Sequence, residues 1–241
     1  MNIAIIFAGG MGKRMNMDAH AKPKQFLKLH GKPVIVYTLE HFQEHDEIDG
    51  IIVSCLESWI TYCADLIEQY RLTKVAAIVP GGDTGQASIL NGLCRAKELY
   101  PDDSIVLIHD GVRPLINAET ISKAIACTKN HGSAITVSPA IETIAVKASE
   151  DVVGQIINRN QCQMARAPQC FRLCDILDAH YKAQAEKLGD FIDSASLMRH
   201  YGCPLYTVQG PAENIKITTP ADFYIFRAIE EAHENSQIFG I

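Results

Sequence analysis

The chain has 241 residues, enough for one large domain or two small ones with a substantial core. Hydrophobic residues make up 47% and charged residues 21%, which excludes disordered, collagen-like and disulfide-scaffold proteins. The formal net charge of -6 disfavours a general binder of nucleic acids or acidic membranes. We therefore expect a globular protein with neither of these as a partner.

Short apolar runs alternate with helical patterns along the chain. Residues 3–8, 51–53, 75–79, 105–108 and 134–137 are predicted to be buried strands. Apolar residues spaced by three and four predict helices within 59–70, 87–99 and 118–128 and from Pro220 onwards. This alternation predicts an α/β fold with a mostly parallel sheet and helices on both faces.

One segment departs from this alternation. Residues 139–162 contain two stretches with a period of two, joined by the polar turn 148–151. The pattern predicts a β-hairpin arm inserted into the α/β fold. No linker or repeat divides the chain, so we expect a single domain spanning residues 1–241 that carries this arm.

The cysteines and the apolar runs indicate the compartment. None of the eight cysteines forms C-x-x-C or a zinc-finger spacing, which favours reduced thiols in a cytoplasmic protein. No apolar run approaches the ~20 residues that span a bilayer, and the first residues do not resemble a signal peptide.

The charge is unevenly distributed. Residues 11–33 contain six basic residues and one acid, a local charge of +5 in a remainder of -11. The same region begins beside a glycine-rich stretch, Gly9-Gly10-Met11-Gly12-Lys13-Arg14, directly after the first predicted strand. Glycines there let backbone N–H groups approach phosphate groups closely. Together these features predict a site for a small anion.

Three phosphate-binding motifs can be compared with this stretch. A P-loop would have Ser or Thr after Gly12-Lys13, and a dinucleotide-binding G-x-G-x-x-G would have glycine at Met15. A nucleotidyltransferase loop, G-G-x-G-x-R with a Pro-Lys pair downstream, fits Arg14 and Pro23-Lys24. Nucleotidyl transfer concentrates negative charge on the α-phosphate, which fixed cations and backbone donors stabilise.

Five ordered motifs together resemble the IspD-type cytidylyltransferases. They are Gly9–Met15, Pro23-Lys24-Gln25-Phe26, His109-Asp110-Gly111-Val112-Arg113-Pro114, Ala167-Pro168-Gln169 and Asn214-Ile215-Lys216-Ile217-Thr218. The resemblance covers essentially the whole chain. It implies a Rossmann-like nucleotidyltransferase fold, CTP as a substrate and Mg²⁺ or another divalent cation as a cofactor.

The resemblance also implies roles for single residues. Arg14 and Lys24 would stabilise the α-phosphate, and Arg159 and Lys216 would position the acceptor phosphate. Asp110 would lie near the metal and the acceptor. The remaining residues implied to bind the two substrates are Phe7, Ala8, Gly9, Gly10, Gly12, Pro80, Gly81, Gly82, Ser88, Gly111 and Thr143. Thr143 lies on the arm, which in the family comes from a second subunit, so the resemblance implies a homodimer.

Several residues are expected to be structural. His109 is predicted to be a packed histidine and Arg113 to tie the loop after its strand. Asp193 is predicted to be either a functional aspartate or a helix cap.

Departures from the family pattern affect the acceptor. Ala167 stands where many members have threonine, Gly85 where many have arginine, and Asn158 where methylerythritol-phosphate enzymes commonly have an acid. These departures favour CMP transfer to ribitol 5-phosphate or a similar polyol phosphate. The alternatives are 2-C-methyl-D-erythritol 4-phosphate as acceptor, a sugar-1-phosphate nucleotidyltransferase and a non-catalytic nucleotide-binding regulator.

Overall fold

The computed structural model describes residues 1–9, 22–189 and 191–239. The larger strands are β1 (Asn2–Ala8), β4 (Gly50–Cys55), β5 (Val75–Pro80), β6 (Ile105–Asp110), β7 (Ser133–Pro139), β10 (Gln163–Arg172) and β11 (Thr207–Gln209). Two short pairs complete the set, β2 (Lys28–Leu29) with β3 (Lys32–Pro33) and β8 (Ile144–Ser149) with β9 (Val152–Ile157). The helices are α1 (Val34–Glu44), α2 (Ile60–Gln69), α3 (Gly85–Leu99), α4 (Ala118–His131), α5 (Leu173–Ala185), α6 (Ser194–His200) and α7 (Pro220–Phe239).

Seven strands form one sheet in the order β11-β7-β10-β6-β1-β4-β5. The pairs β1–β4, β1–β6, β4–β5 and β7–β11 are parallel, whereas β10 runs antiparallel to both β6 and β7. The predicted α/β fold with a mostly parallel sheet is confirmed. The antiparallel strand β10 was not predicted, because it follows the hairpin directly and has no preceding helix to mark a new unit.

Strand β1 shows why the sheet is covered on both faces. Ile3 and Ile5 pack into one core with α3, α5 and α6, while Ala4 and Ile6 pack into another core with α1, α2 and α4. Successive side chains of a strand point to opposite faces, so an uninterrupted apolar run needs a partner on each side.

Local signals explain where the predicted helices begin. Asn117 accepts a hydrogen bond from the Thr120 N–H, as a helix N-cap does, and Thr219 and Asp222 bond each other at the start of α7. Helix α1 was not predicted, because its β-branched start, Val34-Ile35-Val36, is also typical of a strand.

The predicted hairpin is present as β8 and β9, joined by Glu150 and Asp151. Its strands pair with each other and with no strand of the large sheet. Several apolar side chains of the hairpin and its base are exposed, among them Ile141, Val153 and Ile156.

No helix in the described ranges is long and apolar enough to cross a membrane.

Gly92 allows α3 to lie close to the sheet. A Cβ atom at Gly92 would lie 2.8 Å from Ile5 Cγ2 and 2.9 Å from Ser54 Oγ. We expect Gly92→Ala to lower the free energy of unfolding by about 1–2 kcal/mol, because overpacking outweighs the higher helix propensity of alanine. Urea denaturation measures this change.

Gly85→Ala is the matched control on the same helix, since a Cβ there meets no atom within 4 Å. We expect it to be neutral or slightly stabilising. Equal losses for both variants would contradict the packing explanation.

Candidate active site

The carboxyl ends of three parallel strands place the predicted phosphate-binding residues at one edge of the sheet. Phe7 of β1 is opposite Asp110 of β6, and Ala8 is opposite Cys55, which in turn is opposite Pro80 of β5. Ligands of open α/β sheets bind at this edge.

Backbones approach closely where β1 and β5 end. A Cβ on Gly81 would lie 3.3 Å from the Gly9 Cα, and a Cβ on Gly9 would lie 2.7 Å from Ser88 Oγ. Any larger residue would push the two loops apart. The glycines therefore bring together the two loops that were predicted to bind the nucleotide.

Ser88 stabilises the loop after β5 through hydrogen bonds to its backbone. Its hydroxyl accepts a hydrogen bond from the Gly82 N–H at 3.0 Å and donates one to the Thr84 carbonyl at 2.9 Å. The side chain is only 2% exposed, so the structure shows a loop-stabilising residue. A contact between Ser88 and a nucleotide base stays a prediction.

Asp110 is the centre of an ion-pair network at the end of β6. One carboxylate oxygen lies 2.5 Å from Lys216 Nζ, and the other accepts a hydrogen bond from Arg113 Nε at 2.7 Å. Lys216 Nζ also lies 5.7 Å from the centre of the Phe7 ring. One buried carboxylate thus fixes two cations beside the end of β1.

The network determines the charge state of Asp110. Burial alone would raise the pKa of the carboxyl, but the positive charges of Arg113 and Lys216 outweigh burial and hold the pKa well below its usual range. Asp110 is therefore ionised at neutral pH.

Arg113 links three of the sequence motifs. Its Nη1 donates to the Asn214 carbonyl at 3.0 Å, and Asn214 Nδ2 donates to the Ala167 carbonyl at 2.7 Å. The predicted structural role of Arg113 agrees with these bonds. Arg113 also lines the cavity described below, a position that was not predicted from the sequence.

His109 is fully buried and its Nε2 lies 3.1 Å from the Arg113 carbonyl oxygen. Burial lowers the pKa of His109 to about 3, so the ring is neutral at physiological pH. The structure agrees with the predicted packed histidine.

A cavity of about 340 Å³ opens beside the ion-pair network. Phe7 and Asp110 line it from the strand ends, and Lys216 lines it from the loop before α7. Arg166 and Gln169 also line the cavity and were not among the site residues predicted from sequence. Arg166 and Gln169 flank the Ala167-Pro168 pair, so the motif itself was a signal that could have found them.

Gln169 and Asp193 join β10 to the start of α6. Gln169 Nε2 donates to Asp193 Oδ2 at 2.8 Å, and Gln169 Oε1 accepts from the Ala195 N–H at 2.8 Å. Asp193 Oδ1 accepts from the Ser196 N–H, so Asp193 caps α6 and also lines the cavity. The predicted helix cap at Asp193 is confirmed, whereas a functional role for this aspartate stays a prediction.

The structure does not bring every predicted residue to this cavity. Lys24 is buried in a 3₁₀ turn, Lys24–Phe26, that follows the predicted phosphate loop. Arg159 and Thr143 lie at the base of the arm and do not line the cavity, and Arg159 Nη1 donates to the Ile141 carbonyl at 2.8 Å. Gly10, Gly12 and Arg14 lie outside the described residues.

The side chains of the described residues do not by themselves form a metal site, and a place for Asp110 near a metal stays a prediction. Among the described residues, no group of three or more His, Cys, Asp or Glu side chains is placed to bind one. Both oxygens of Asp110 face cations, and both oxygens of Asp193 accept hydrogen bonds.

The sequence matches the family model for 2-C-methyl-D-erythritol 4-phosphate cytidylyltransferase over residues 2–231. The chain belongs to the IspD family of cytidylyltransferases.

Individual relatives agree with this assignment. A ribitol-5-phosphate cytidylyltransferase of Vibrio parahaemolyticus is 51% identical, over 100% of both chains. A 2-C-methyl-D-erythritol 4-phosphate cytidylyltransferase of Clostridium botulinum is 37% identical, over 95% of this chain and 97% of that protein. The crystal structure of 4-diphosphocytidyl-2C-methyl-D-erythritol synthase from Anaerococcus prevotii superposes with a TM-score of 0.80. It is 27% identical and the match covers 95% of this chain and 98% of that one.

Removing the charge of Asp110 should destabilise the fold in a pH-dependent way. We expect Asp110→Asn to lower the free energy of unfolding at pH 7 by about 3 kcal/mol, because two cations lose their shared anion. The folded-state pKa is depressed, so the contribution of Asp110 is present above the unfolded pKa of about 3.9 and is lost as the pH falls further. The difference between wild type and variant should therefore shrink below about pH 4 in urea titrations.

Asp178→Asn is the control for this prediction. It removes a carboxylate from the solvent-exposed Asp178–Lys182 pair on α5. We expect no measurable change in stability at either pH. A deficit for Asp110→Asn that stays constant down to pH 3 would contradict the ion-pair explanation.

Proposed function

We propose that this protein transfers CMP from CTP to ribitol 5-phosphate, producing CDP-ribitol and pyrophosphate. The observation that carries the proposal is the 51% identity, over the full length of both chains, to a protein named ribitol-5-phosphate cytidylyltransferase. The relative named for the methylerythritol substrate is more distant, at 37%. The cationic cavity at the strand ends supports a reaction between two phosphorylated molecules.

The proposed reaction needs electrostatic stabilisation more than proton transfer. An oxygen of the acceptor phosphate bonds to the α-phosphorus of CTP while the bond to the bridging α–β oxygen breaks and its electrons leave with pyrophosphate. A phosphate monoester is already mostly dianionic at neutral pH, so no strong general base is required. The neutral, buried His109 and the ionised, paired Asp110 are consistent with this chemistry.

We assign the nucleotide to the side of the cavity near β1 and β5. Arg14 and Lys24 are proposed to stabilise the charge on the α-phosphate, and Phe7, Ala8, Gly9, Gly10 and Gly12 to surround the triphosphate. Residues 80–88 are proposed to contact the cytosine, with Gly82 and Ser88 as base contacts. The close approach of Gly9 and Gly81 supports this division, because it places the two loops side by side at the strand ends.

We assign the acceptor to the side formed by β6, β10 and the loop before α7. Lys216 is proposed to bind the acceptor phosphate, with Asp110 fixing the position of the ammonium group. Gly111 lies beside the carboxyl end of β1, where its N–H donates a hydrogen bond to the Phe7 carbonyl at 3.0 Å. The absence of a side chain at Gly111 would leave room for the acceptor there. Arg159 and Thr143 would complete the acceptor site from the arm.

We propose that Mg²⁺ enters with CTP as its triphosphate complex. The engaged oxygens of Asp110 and Asp193 argue against a side-chain metal site, and Mg²⁺ commonly keeps phosphate and water ligands. Bound in this way, the ion would neutralise charge on the triphosphate.

We further propose a cytoplasmic, single-domain homodimer in which the arm of one subunit reaches the site of the other. The arm exposes Ile141, Val153 and Ile156, with 75%, 59% and 67% of each residue's surface accessible. Arg159 and Thr143 lie at its base and do not line the cavity of their own subunit. A partner that covers the arm would bury these apolar side chains.

The proposed function predicts a narrow substrate requirement. We expect pyrophosphate release with CTP and ribitol 5-phosphate, and much slower release with ATP, GTP or UTP in place of CTP. 2-C-methyl-D-erythritol 4-phosphate should be a poor acceptor under the same conditions. Coupled detection of pyrophosphate and ³¹P NMR of the product measure both comparisons.

The alternatives give different results in this assay. Faster turnover of the methylerythritol substrate would replace the proposed acceptor. Binding of CTP without transfer to any polyol phosphate would indicate a nucleotide-binding regulator.

The proposed arm exchange predicts complementation between inactive variants. Arg159→Ala removes the arm contribution and Lys216→Ala removes a contribution from the body of the subunit. Purified mixed dimers should regain up to about one half of wild-type activity, because one of the two sites in each mixed dimer contains both native residues. Co-expression with two different tags allows these dimers to be purified and assayed.

The control mixes Lys216→Ala with Asp110→Ala, both in the same body. Lys216 and Asp110 lie 2.5 Å apart in the same subunit. Each body in this mixed dimer therefore lacks one of the two residues, and we expect no comparable gain in activity. A mixed Arg159→Ala and Lys216→Ala dimer that remains inactive would contradict arm exchange.

A further inference from the structure

Arg166 occupies an irregular part of β10. The pairing of β10 with β7 changes register between Ala165 and Gln169. A regular strand would direct alternate side chains to opposite faces, yet Ala165, Arg166 and Ala167 all line the cavity. Such irregularities re-aim side chains, and here one brings a guanidinium group to the cavity wall.

One hydrogen bond orients this guanidinium group. Arg166 Nε donates to Ser138 Oγ at 3.1 Å, and Ser138 is a buried residue of β7. Within the described ranges, the two terminal nitrogens of Arg166 make no hydrogen bond to protein. They therefore retain their donors for a ligand, in the planar fork that matches phosphate oxygens.

The charge around Arg166 favours an anion. Arg113 and Lys216 share the carboxylate of Asp110, but no carboxylate in the described part of the chain lies within ion-pair distance of Arg166. Burial, and secondly repulsion from Arg113, lower the pKa of Arg166. A half-buried cation without a counter-ion is costly, and a bound dianion would remove that cost.

The position of β10 in the sheet indicates which phosphate is involved. The glycine loops proposed to bind CTP follow β1 and β5, whereas β10 lies on the other side of β6. Arg166 is therefore on the same side of the cavity as Arg113 and Ala167, away from the junction of Gly9 and Gly81.

We propose that Arg166 binds the phosphate of the acceptor and makes this site selective for polyols that carry a phosphate monoester. This inference rests on the proposed function, because it assigns an additional residue to that reaction. Arg166 would act together with Lys216, with the guanidinium fork fixing the direction of the phosphate and the ammonium group adding a point charge.

Arg166→Gln tests the inference in steady-state assays. We expect the KM for ribitol 5-phosphate to rise about tenfold or more, which is the typical effect of losing charge-assisted hydrogen bonds. The KM for CTP should change less than about twofold. Arg166→Lys keeps the charge but loses the fork, so its acceptor KM should lie between those of wild type and Arg166→Gln.

Arg172→Gln is the matched control, since Arg172 is the exposed last residue of the same strand. It should leave both KM values unchanged. An unchanged acceptor KM in Arg166→Gln, or a larger rise in the KM for CTP, would overturn the proposal. Thermal unfolding of each variant shows whether a loss comes from misfolding. If Arg166→Gln unfolds, a native-like Arg166→Lys with wild-type acceptor KM would also overturn it.

A binding measurement separates this inference from the proposed function. Titration of wild type and Arg166→Gln with inorganic phosphate, followed by ³¹P NMR, requires no turnover. Weaker phosphate binding by Arg166→Gln supports the role of Arg166 even if ribitol 5-phosphate is not the acceptor. Equal phosphate binding by the two proteins would overturn that role even if wild type makes CDP-ribitol.

Discussion

The pairing of Asp110 with Lys216 and Arg113 is the interaction on which the rest of the site depends. Asp110 ends β6, Arg113 lies three residues later, and Lys216 comes from a segment more than a hundred residues away. The positive charges of Lys216 and Arg113 would repel each other in this half-buried site. The ionised carboxylate of Asp110 lies between them and makes their proximity stable. The same ion pairs hold the loop before α7 against the end of the sheet, so charge placement and tertiary structure have one cause.

The hydrogen bonds that extend from the network to the cavity wall are structural. Arg113 reaches the backbone of Asn214, and Asn214 reaches the backbone of Ala167, so the wall of the cavity is held by bonds to main-chain atoms. Such bonds do not depend on the identity of the side chain at position 167. Alanine at position 167 is therefore compatible with these bonds.

Sequence reasoning succeeded where the signal was local and failed where it was not. The strand ending at Asp110, the cap at Asn117 and the hairpin each have a short-range pattern, namely apolar periodicity, a capping side chain or a polar turn. Strand β10 and the cavity position of Arg166 have no such pattern. They arise because β10 returns antiparallel beside β6 and changes register opposite β7, which are tertiary pairings. Periodicity could not predict that Arg166 and Lys216 would line one cavity.

Basic residues of this protein form two groups, one continuous in sequence and one assembled by the fold. The sequence contains a basic segment, residues 11–33, in an otherwise acidic chain. The structure adds a second group of cations, Arg113, Arg166 and Lys216, which is invisible as a run because its members come from three separate segments. Only one of the two groups can be recognised by counting charges along the chain. A reaction that joins two phosphorylated substrates needs positive charge from two sides. In this chain the second group lies at the carboxyl edge of the sheet, where β6, β10 and the loop before α7 meet.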